Sequence, residues 1–345
     1  MATLQDVARL AGVSTATASL ALNGRPVNET TRQRVLDSAK KLNYVPNRIG
    51  RTLITGETKT IELVIVGSRE YADIVTGTSL FYYIMQGVLT VLDEWGYSLR
   101  FDHRFYQDKS FLSHFKNKVA ERSLDGVIVI PQYSFRYAFV DVFEELAFPY
   151  MLLCPERIAG TRNFVDMGNC VGGRLVADLF GSMGAQSIAF INGPPSHVDA
   201  IERERGFFAG LQEMGYSTAD VVKRYGDFTV PSGEKAVAEI LATARPDAVF
   251  CANDYMAAGA LKALMDTGLE VPGDVTLVGY DNNDIAPALT PALTTVDNRF
   301  EELGEHLAHV LLNLIRGIPT STAVHVKPTL VPRASHLPLS STAAL

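Results

Sequence analysis

The sequence predicts a small all-α head followed by a two-lobed α/β body built on parallel sheets. Three short helical patterns, each with start and stop signals, fill the first 45 residues. From Thr60 onward, short β-rich runs alternate with amphipathic helical segments. Charge divides at the same place. Residues 1–59 hold nine Lys or Arg against four Asp or Glu, a net +5, whereas the whole chain carries −7 and the remainder therefore −12. At 345 residues the chain exceeds one simple core, so two or three folding units are expected.

The head is read from its caps and apolar spacing. Thr3 followed by Asp6 forms a capping box for a helix through Ala11, with Leu4, Val7, Ala8 and Ala11 on one stripe. Gly12-Val13 makes a tight turn, Ser14 caps a second helix through Leu22, and Asn23-Gly24 ends it. Asn28 opens a third helix through Leu42, with Val35, Leu36, Ala39 and Leu42 expected inward. Three helices with a glycine turn between the first two make a helix-turn-helix. A small bundle for protein contact is the alternative. Against it, Ala18 and Leu22 face inward and leave Ser14, Thr15, Thr17, Ser19 and Leu20 outside, where small hydroxyls suit phosphates and groove floors. Basic charge on this end and an acidic body fit docking on a nucleic acid.

In the body, "IELVIV", "YSLRF", "GVIVI", "YMLL", "SIAFI", "VVKRY", "DAVFCA" and "VTLVGY" read as strands. Helices are expected near 80–95, 109–121, 135–146, 169–183, 199–214, 233–243, 254–266 and 300–316. Such alternation implies parallel sheets covered on both faces, with ligands at the carboxyl ends of the strands. Enzyme readings lose support: the chain has no G-x-G-x-x-G after a strand, no phosphate-binding G-x-x-x-x-G-K-[ST] and no G-x-S-x-G elbow. No apolar run approaches the ~20 residues needed to span a bilayer, and Asp6 and Arg9 interrupt any signal-peptide core, so a cytoplasmic protein without a membrane partner is expected. Cys154, Cys170 and Cys251 are few, odd in number and without metal-ligand spacing. They read as buried reduced thiols, and neither a metal nor a cofactor is expected.

The run "TLQDVARLAGVSTATASLALNGRPVNETTRQRVLDSAKKLNYVPN" resembles the headpiece of the lactose/galactose-repressor family. "YxPNxxxRxLxTG" is similar to its hinge segment, and "LDGVIVIP", "SIAFINGPP", "IERERGFFAGLQEMGY", "CANDYMAAGALKAL", "VPGDVTLVGYDNNDIAPALTPALTTV" and "LVPRAS" follow the family order across nearly the whole chain. The resemblance implies a homodimeric, ligand-responsive repressor that binds pseudo-palindromic operator DNA. Its parts are a headpiece at 1–46, a hinge helix at 47–59, a sensor at 60–335 similar to periplasmic sugar-binding proteins, and a tail at 336–345. Lobe 1 would comprise about 60–160 and 291–319, and lobe 2 about 161–290 and 320–335, with crossovers near 160, 290 and 320.

By the same resemblance, the helix Ser14–Leu22 lies in the major groove with Thr15, Ala16 and Leu20 at base-reading positions and Leu53 as a minor-groove wedge; Ser14, Thr17, Ser19 and Asn23 complete the expected DNA-binding set. Leu20 stands where many members carry arginine, so apolar contact with thymine methyls replaces bidentate readout. Arg203, Asp281 and Asn253 are the implied polar contacts of an effector, expected to be a carbohydrate. Phe228 would stack on it, Leu80 and Phe81 form a first-lobe apolar pair, and His197 and Asp199 lie in a variable specificity loop. Each has a structural alternative: Asp281 as a turn cap or ion-pair partner of Arg203, Phe228 as core. Cys154 occupies the place of an acidic residue that commonly binds sugar hydroxyls. A periplasmic-type receptor without DNA function, and a corepressor-type regulator answering to a non-sugar metabolite such as a purine, are the rival functions.

Overall fold

The computed structural model describes residues 2–44, 57–71, 80–133 and 137–336. The chain divides into two compact units, Met1–Lys59 with Arg122–Asp125 and the remainder. In the first, α1 (Leu4–Ala11), α2 (Thr15–Leu22) and α3 (Glu29–Lys41) form the expected three helices. The Thr3 hydroxyl accepts from the Asp6 amide while the Asp6 carboxylate accepts from the Thr3 amide, closing the capping box. Gly12, at φ 66°, takes the left-handed turn between α1 and α2. Ser14 and Asn28 cap the next two helices through the amides of Thr17 and Thr30. Their core is small: Val7, Ala8, Ala11, Ala18, Ala21, Val35 and Ala39.

Leu36, expected inward, is 42% exposed. Val35 and Ala39 already define the inner face of α3, and Leu36 lies one helical step of about 100° beyond Val35. Ser38 is buried instead, its hydroxyl donating back to the Arg34 carbonyl at 2.7 Å.

The second unit starts with β1 (Thr60–Gly67), α4 (Leu80–Glu94), β2 (Ser98–Phe105), α5 (Phe111–Ala120), β3 (Gly126–Pro131), α6 (Ala138–Glu145), β4 (Tyr150–Leu153), α7 (Glu156–Ala159) and β5 (Phe164–Asp166). A second βα run follows: α8 (Asn169–Met183), β6 (Ile188–Asn192), α9 (Val198–Glu213), β7 (Val222–Tyr225), α10 (Val230–Leu241), β8 (Ala248–Cys251), α11 (Asp254–Asp266), β9 (Thr276–Val278) and α12 (Ile285–Ala288). The chain closes with β10 (Thr295–Asp297), α13 (Phe300–Ile315), β11 (Ala323–His325) and β12 (Thr329–Val331). Two parallel sheets result, ordered β11-β5-β4-β3-β1-β2 and β7-β6-β8-β9.

Strand periodicity builds the cores. Ile61, Leu63 and Ile65 of β1 pack under α4 and α13, whereas Val64 and Val66 face an aromatic layer of Phe111, Phe115, Phe139 and Phe143. The other sheet is centred on Phe190, Phe207 and Phe250, with the rings of Phe190 and Phe250 stacked at 4.9 Å.

The crossings between lobes differ from expectation. β5 and β11 extend the edge of the first sheet, so the first and third crossings fall after residues 166 and 325 rather than near 160 and 320. Only parallel sheets were expected, yet β10 and β12 pair antiparallel. These segments carry the chain across in opposite directions, so they meet head to tail. His336, where the tail was expected to begin, is tied to the rest of the sensor. His336 bonds to the Thr294 hydroxyl at 2.8 Å, and Ser335, fully buried, donates to the Leu277 carbonyl at 2.6 Å. The hinge segment from 47 to 56, with Leu53, and the tail from 337 lie outside the described residues. Cys154, Cys170 and Cys251 are all free thiols, Cys170 half-exposed and the other two buried. Among the described residues no helix is long and apolar enough to cross a membrane.

α4 and α13 approach through reciprocal glycines. A methyl on Gly87 would fall on the Glu301 carbonyl, and one on Gly304 on the Ile84 carbonyl. Gly87→Ala should therefore force the helices apart and cost about 1–3 kcal/mol, read as a lowered midpoint in urea unfolding of the full chain.

Candidate effector cleft and DNA-reading helix

In the head, α2 presents Thr15, Ala16 and Leu20 to solvent, with Leu20 41% exposed. The polar residues around them are partly spent on the helix itself. The Ser14 hydroxyl lies 2.8 Å from that of Thr17, and the Asn23 side-chain amide donates to the Ser19 carbonyl at 2.8 Å. Arg32, not singled out from sequence, donates to the carbonyls of Ala21 and Arg25 and ties the end of α2 to α3. What remains free on α2 is a small, largely apolar face.

The eight effector residues expected from sequence come together. Leu80, Phe81, His197, Asp199, Arg203, Phe228, Asn253 and Asp281 all line one narrow cavity of about 40 Å³. It also takes in Ile130, Pro131, Gln132, Leu153 and Met167, which sequence reasoning missed. Their placement follows a rule: Leu153 ends β4 and Gln132 and Met167 succeed β3 and β5, whereas His197, Phe228, Asn253 and Asp281 succeed β6, β7, β8 and β9. Carboxyl ends of parallel strands converge there because every crossover helix returns the chain to the opposite end. That rule could have nominated Gln132, directly after "GVIVIP".

The lobes meet beside the cavity. The Val198 amide donates to the Gln132 carbonyl at 2.9 Å, and the Arg157 guanidinium donates to Glu202 at 3.0 Å.

Arg203 and Asp281 were open to two readings, ligand contact or mutual ion pair, and the geometry contains the pair. Arg203 Nη2 donates to Asp281 Oδ1 at 2.8 Å, with both side chains buried. Arg203 also donates to Asn169 Oδ1 at 2.9 Å and to the Ala252 carbonyl, and its guanidinium lies 3.9 Å over the Tyr280 ring. Asn298 donates to the same Asp281 oxygen at 3.1 Å. Burial pushes the Asp281 carboxyl up to about 6, against the opposing pull of Arg203. Asp281 holds φ 102°, a left-handed conformation that aims it back toward α9.

Asn253 is committed to the scaffold. It caps α11 by accepting from the Met256 amide at 2.9 Å and donates to the Phe228 carbonyl at 3.0 Å. That second bond holds Phe228 at φ 67° with its ring 5.0 Å from His197. His197 caps α9, its Nδ1 accepting from the Asp199 amide at 3.3 Å, so the proton resides on Nε2. Burial lowers its pKa to about 4, with Asp199 raising and Arg203 lowering it. Cys154 is buried in the aromatic layer between sheet and helices, where burial pushes its thiol up and keeps it protonated.

Residues 3–47 match the model for bacterial regulatory proteins of the lacI family, and residues 177–336 match a periplasmic binding protein-like domain. Full-length relatives include the HTH-type transcriptional regulator CelR of Thermobifida fusca, 33% identical over 92% of this chain and 93% of that protein. The chain belongs to the lacI family. The HTH-type transcriptional repressor PurR of Erwinia tasmaniensis is 33% identical over 97% of each chain. Among solved structures, a CelR–cellobiose complex is 31% identical, covers 97% of this chain and all of its own, and superposes with a TM-score of 0.70. The lac repressor dimer bound to operator and the anti-inducer ONPF is 26% identical over 98% of this chain and 99% of its own, with a TM-score of 0.85. Like its family, this chain is a DNA-binding transcriptional regulator and not an enzyme.

Two pKa shifts predict opposed pH effects. His197 is depressed to about 4 from 6.5, so the unfolded chain binds the extra proton and stability from this group falls as pH drops through that window. Asp281 is raised to about 6 from 3.8, so its contribution falls as pH rises through its own window. His197→Gln removes the first and leaves the second. Its stability relative to the parent should improve by roughly 1.4 kcal/mol per pH unit on acidification from about 6.5, measured by urea melts at stepped pH.

Proposed function

We propose that the cleft binds a neutral carbohydrate and that closure of the lobes on it sets the operator affinity of a cytoplasmic homodimer. The observation that carries this is the convergence of all eight expected residues on one cleft with both polar and apolar walls. Leu80, Phe81 and Phe228 offer apolar surface to the C–H faces of a sugar. Both hydrogen bonds received by Asp281 fall on Oδ1, so Oδ2 keeps lone pairs for hydroxyls. Arg203 is already neutralised by Asp281, which disfavours a phosphorylated or carboxylated effector. The CelR–cellobiose complex supports the same class.

DNA contact is assigned to α2. Thr15, Ala16 and Leu20 would read base edges, chiefly thymine methyls, with Ser14, Thr17, Ser19 and Asn23 beside the phosphates and Leu53 as the wedge. Two headpieces of a twofold dimer require a pseudo-palindromic operator. Because ligand and operator act on one closure equilibrium, each changes the affinity of the other by the same factor.

Calorimetry with a panel of mono- and disaccharides, with purine bases as controls, tests the effector class. Purine binding without sugar binding would overturn it. Asp281→Asn keeps the size of the side chain and should weaken the bound sugar about 30- to 150-fold, as expected for a charged hydrogen bond of ~2–3 kcal/mol. Arg203→Ala should instead destabilise the fold by about 3–5 kcal/mol, because it strands a buried carboxylate. Deleting residues 1–57 should abolish operator binding in a gel shift while sugar binding persists, and binding by the intact protein should fall steeply with salt.

A further inference from the structure

A charged cluster lies outside the effector cleft. Glu62 stands on β1 in a strand otherwise apolar, "TIELVIVG", and is fully buried. It shares a face with Val64, which pairs with Asp102 of the edge strand β2, so Glu62 and Asp102 are diagonal neighbours. His114 comes from α5, which covers that face, and its side chain is only 10% exposed. Among the described residues, this is the one group of three ligand-type side chains that converge closely enough for a shared ion.

Two of the three polar atoms at the centre lack a hydrogen bond, while the third, Asp102 Oδ2, accepts from Arg104. Glu62 Oε2 and His114 Nε2 are buried without a hydrogen-bond partner, a costly state for a carboxylate. His114 Nε2 lies 3.7 Å from Glu62 Oε2 and 3.5 Å from Asp102 Oδ2, too far for hydrogen bonds. Those separations suit another geometry. Four ligands at about 2.0–2.1 Å around a tetrahedral ion stand roughly 3.3–3.4 Å apart, so these two edges need to close by only a few tenths of an ångström, and the two carboxylate oxygens lie within 4.8 Å of each other. One imidazole nitrogen and two carboxylate oxygens, with a fourth position for water, suit a divalent ion of the zinc class.

The surrounding charges fit an outer shell. Lys118 donates to the other Glu62 oxygen at 3.2 Å, with Arg100 at 3.9 Å from it. Arg104 donates to Asp102 Oδ2 at 2.7 Å and the His103 amide to Oδ1 at 2.9 Å, fixing that carboxylate in place. We propose that Glu62, Asp102 and His114 form a divalent-metal site of the zinc class that clamps α5 to the first two strands, separate from the effector cleft.

The test uses the untagged full-length protein and zinc chloride alone. Titration calorimetry should give one tight site per chain and a raised melting temperature, since an ion that binds only the folded state stabilises it. Cobalt substitution should produce the visible absorption of a tetrahedral ion. His114→Gln should weaken this site at least about tenfold, a lower bound set by outer-shell losses. His306→Gln, at an exposed pair with Glu302, should leave it intact. Should His114→Gln fold poorly, Asp102→Asn on the edge strand gives the same readout. Absence of a stoichiometric site, or equal affinity in His114→Gln or Asp102→Asn, would overturn the proposal and leave an ion-pair cluster only.

Discussion

Arg203 carries a full positive charge in an almost fully enclosed position, 3% exposed, and much of the second lobe is arranged around it. A buried guanidinium is tolerated only when its donors and its charge are both met. Here Asn169 at the start of α8, the Ala252 carbonyl after β8, the Tyr280 ring and Asp281 after β9 each take part. One side chain therefore holds three separate stretches of chain in register at the cleft floor. Tyr280 lies against Gly172 of α8, where a methyl would collide with its ring, so the packing of α8 serves the same arrangement.

This changes what the ion pair means. A buried pair alone contributes little net stability, because desolvation offsets attraction. Its consequence is positional. Asp281, fixed through one oxygen by Arg203 and Asn298, presents the other at a defined place, and Asn169 passes the same order to Asp199 through a 2.7 Å bond. Asn253 and His197 work similarly, as helix caps whose bonds set the Phe228 ring and the entrance of α9. Residues that a motif reading takes for ligand contacts are thus partly the frame around the contacts.

The two lobes are joined at the cleft by a few specific contacts. The Val198–Gln132 backbone bond and the Arg157–Glu202 pair link the lobes beside the cavity, and β10 and β12 join them at the crossing. A ligand that engages both walls favours the arrangement in which these contacts are made. A population shift requires differential contact of this kind and nothing more.

The sequence by itself determined the three capped helices of the head and the two parallel sheets, and its resemblance to the lacI family pointed to eight residues that line the cavity. Caps, glycine turns and apolar periods are local signals, and Thr3–Asp6 or "IELVIV" carries them within a few neighbours. The short strands β5, β10, β11 and β12 escaped, because three residues are too few to show a period and their pairing partners are distant in sequence. Leu36 faced outward for a related reason: its apolarity signals burial, but helix rotation against α1 and α2 decides which residues are covered. Only the tertiary structure brought Asn169 and Tyr280 to Arg203, and Glu62, Asp102 and His114 to one point. No spacing rule joins positions so far apart. Strand order and helix placement do, and these are set by burial of the whole sheet.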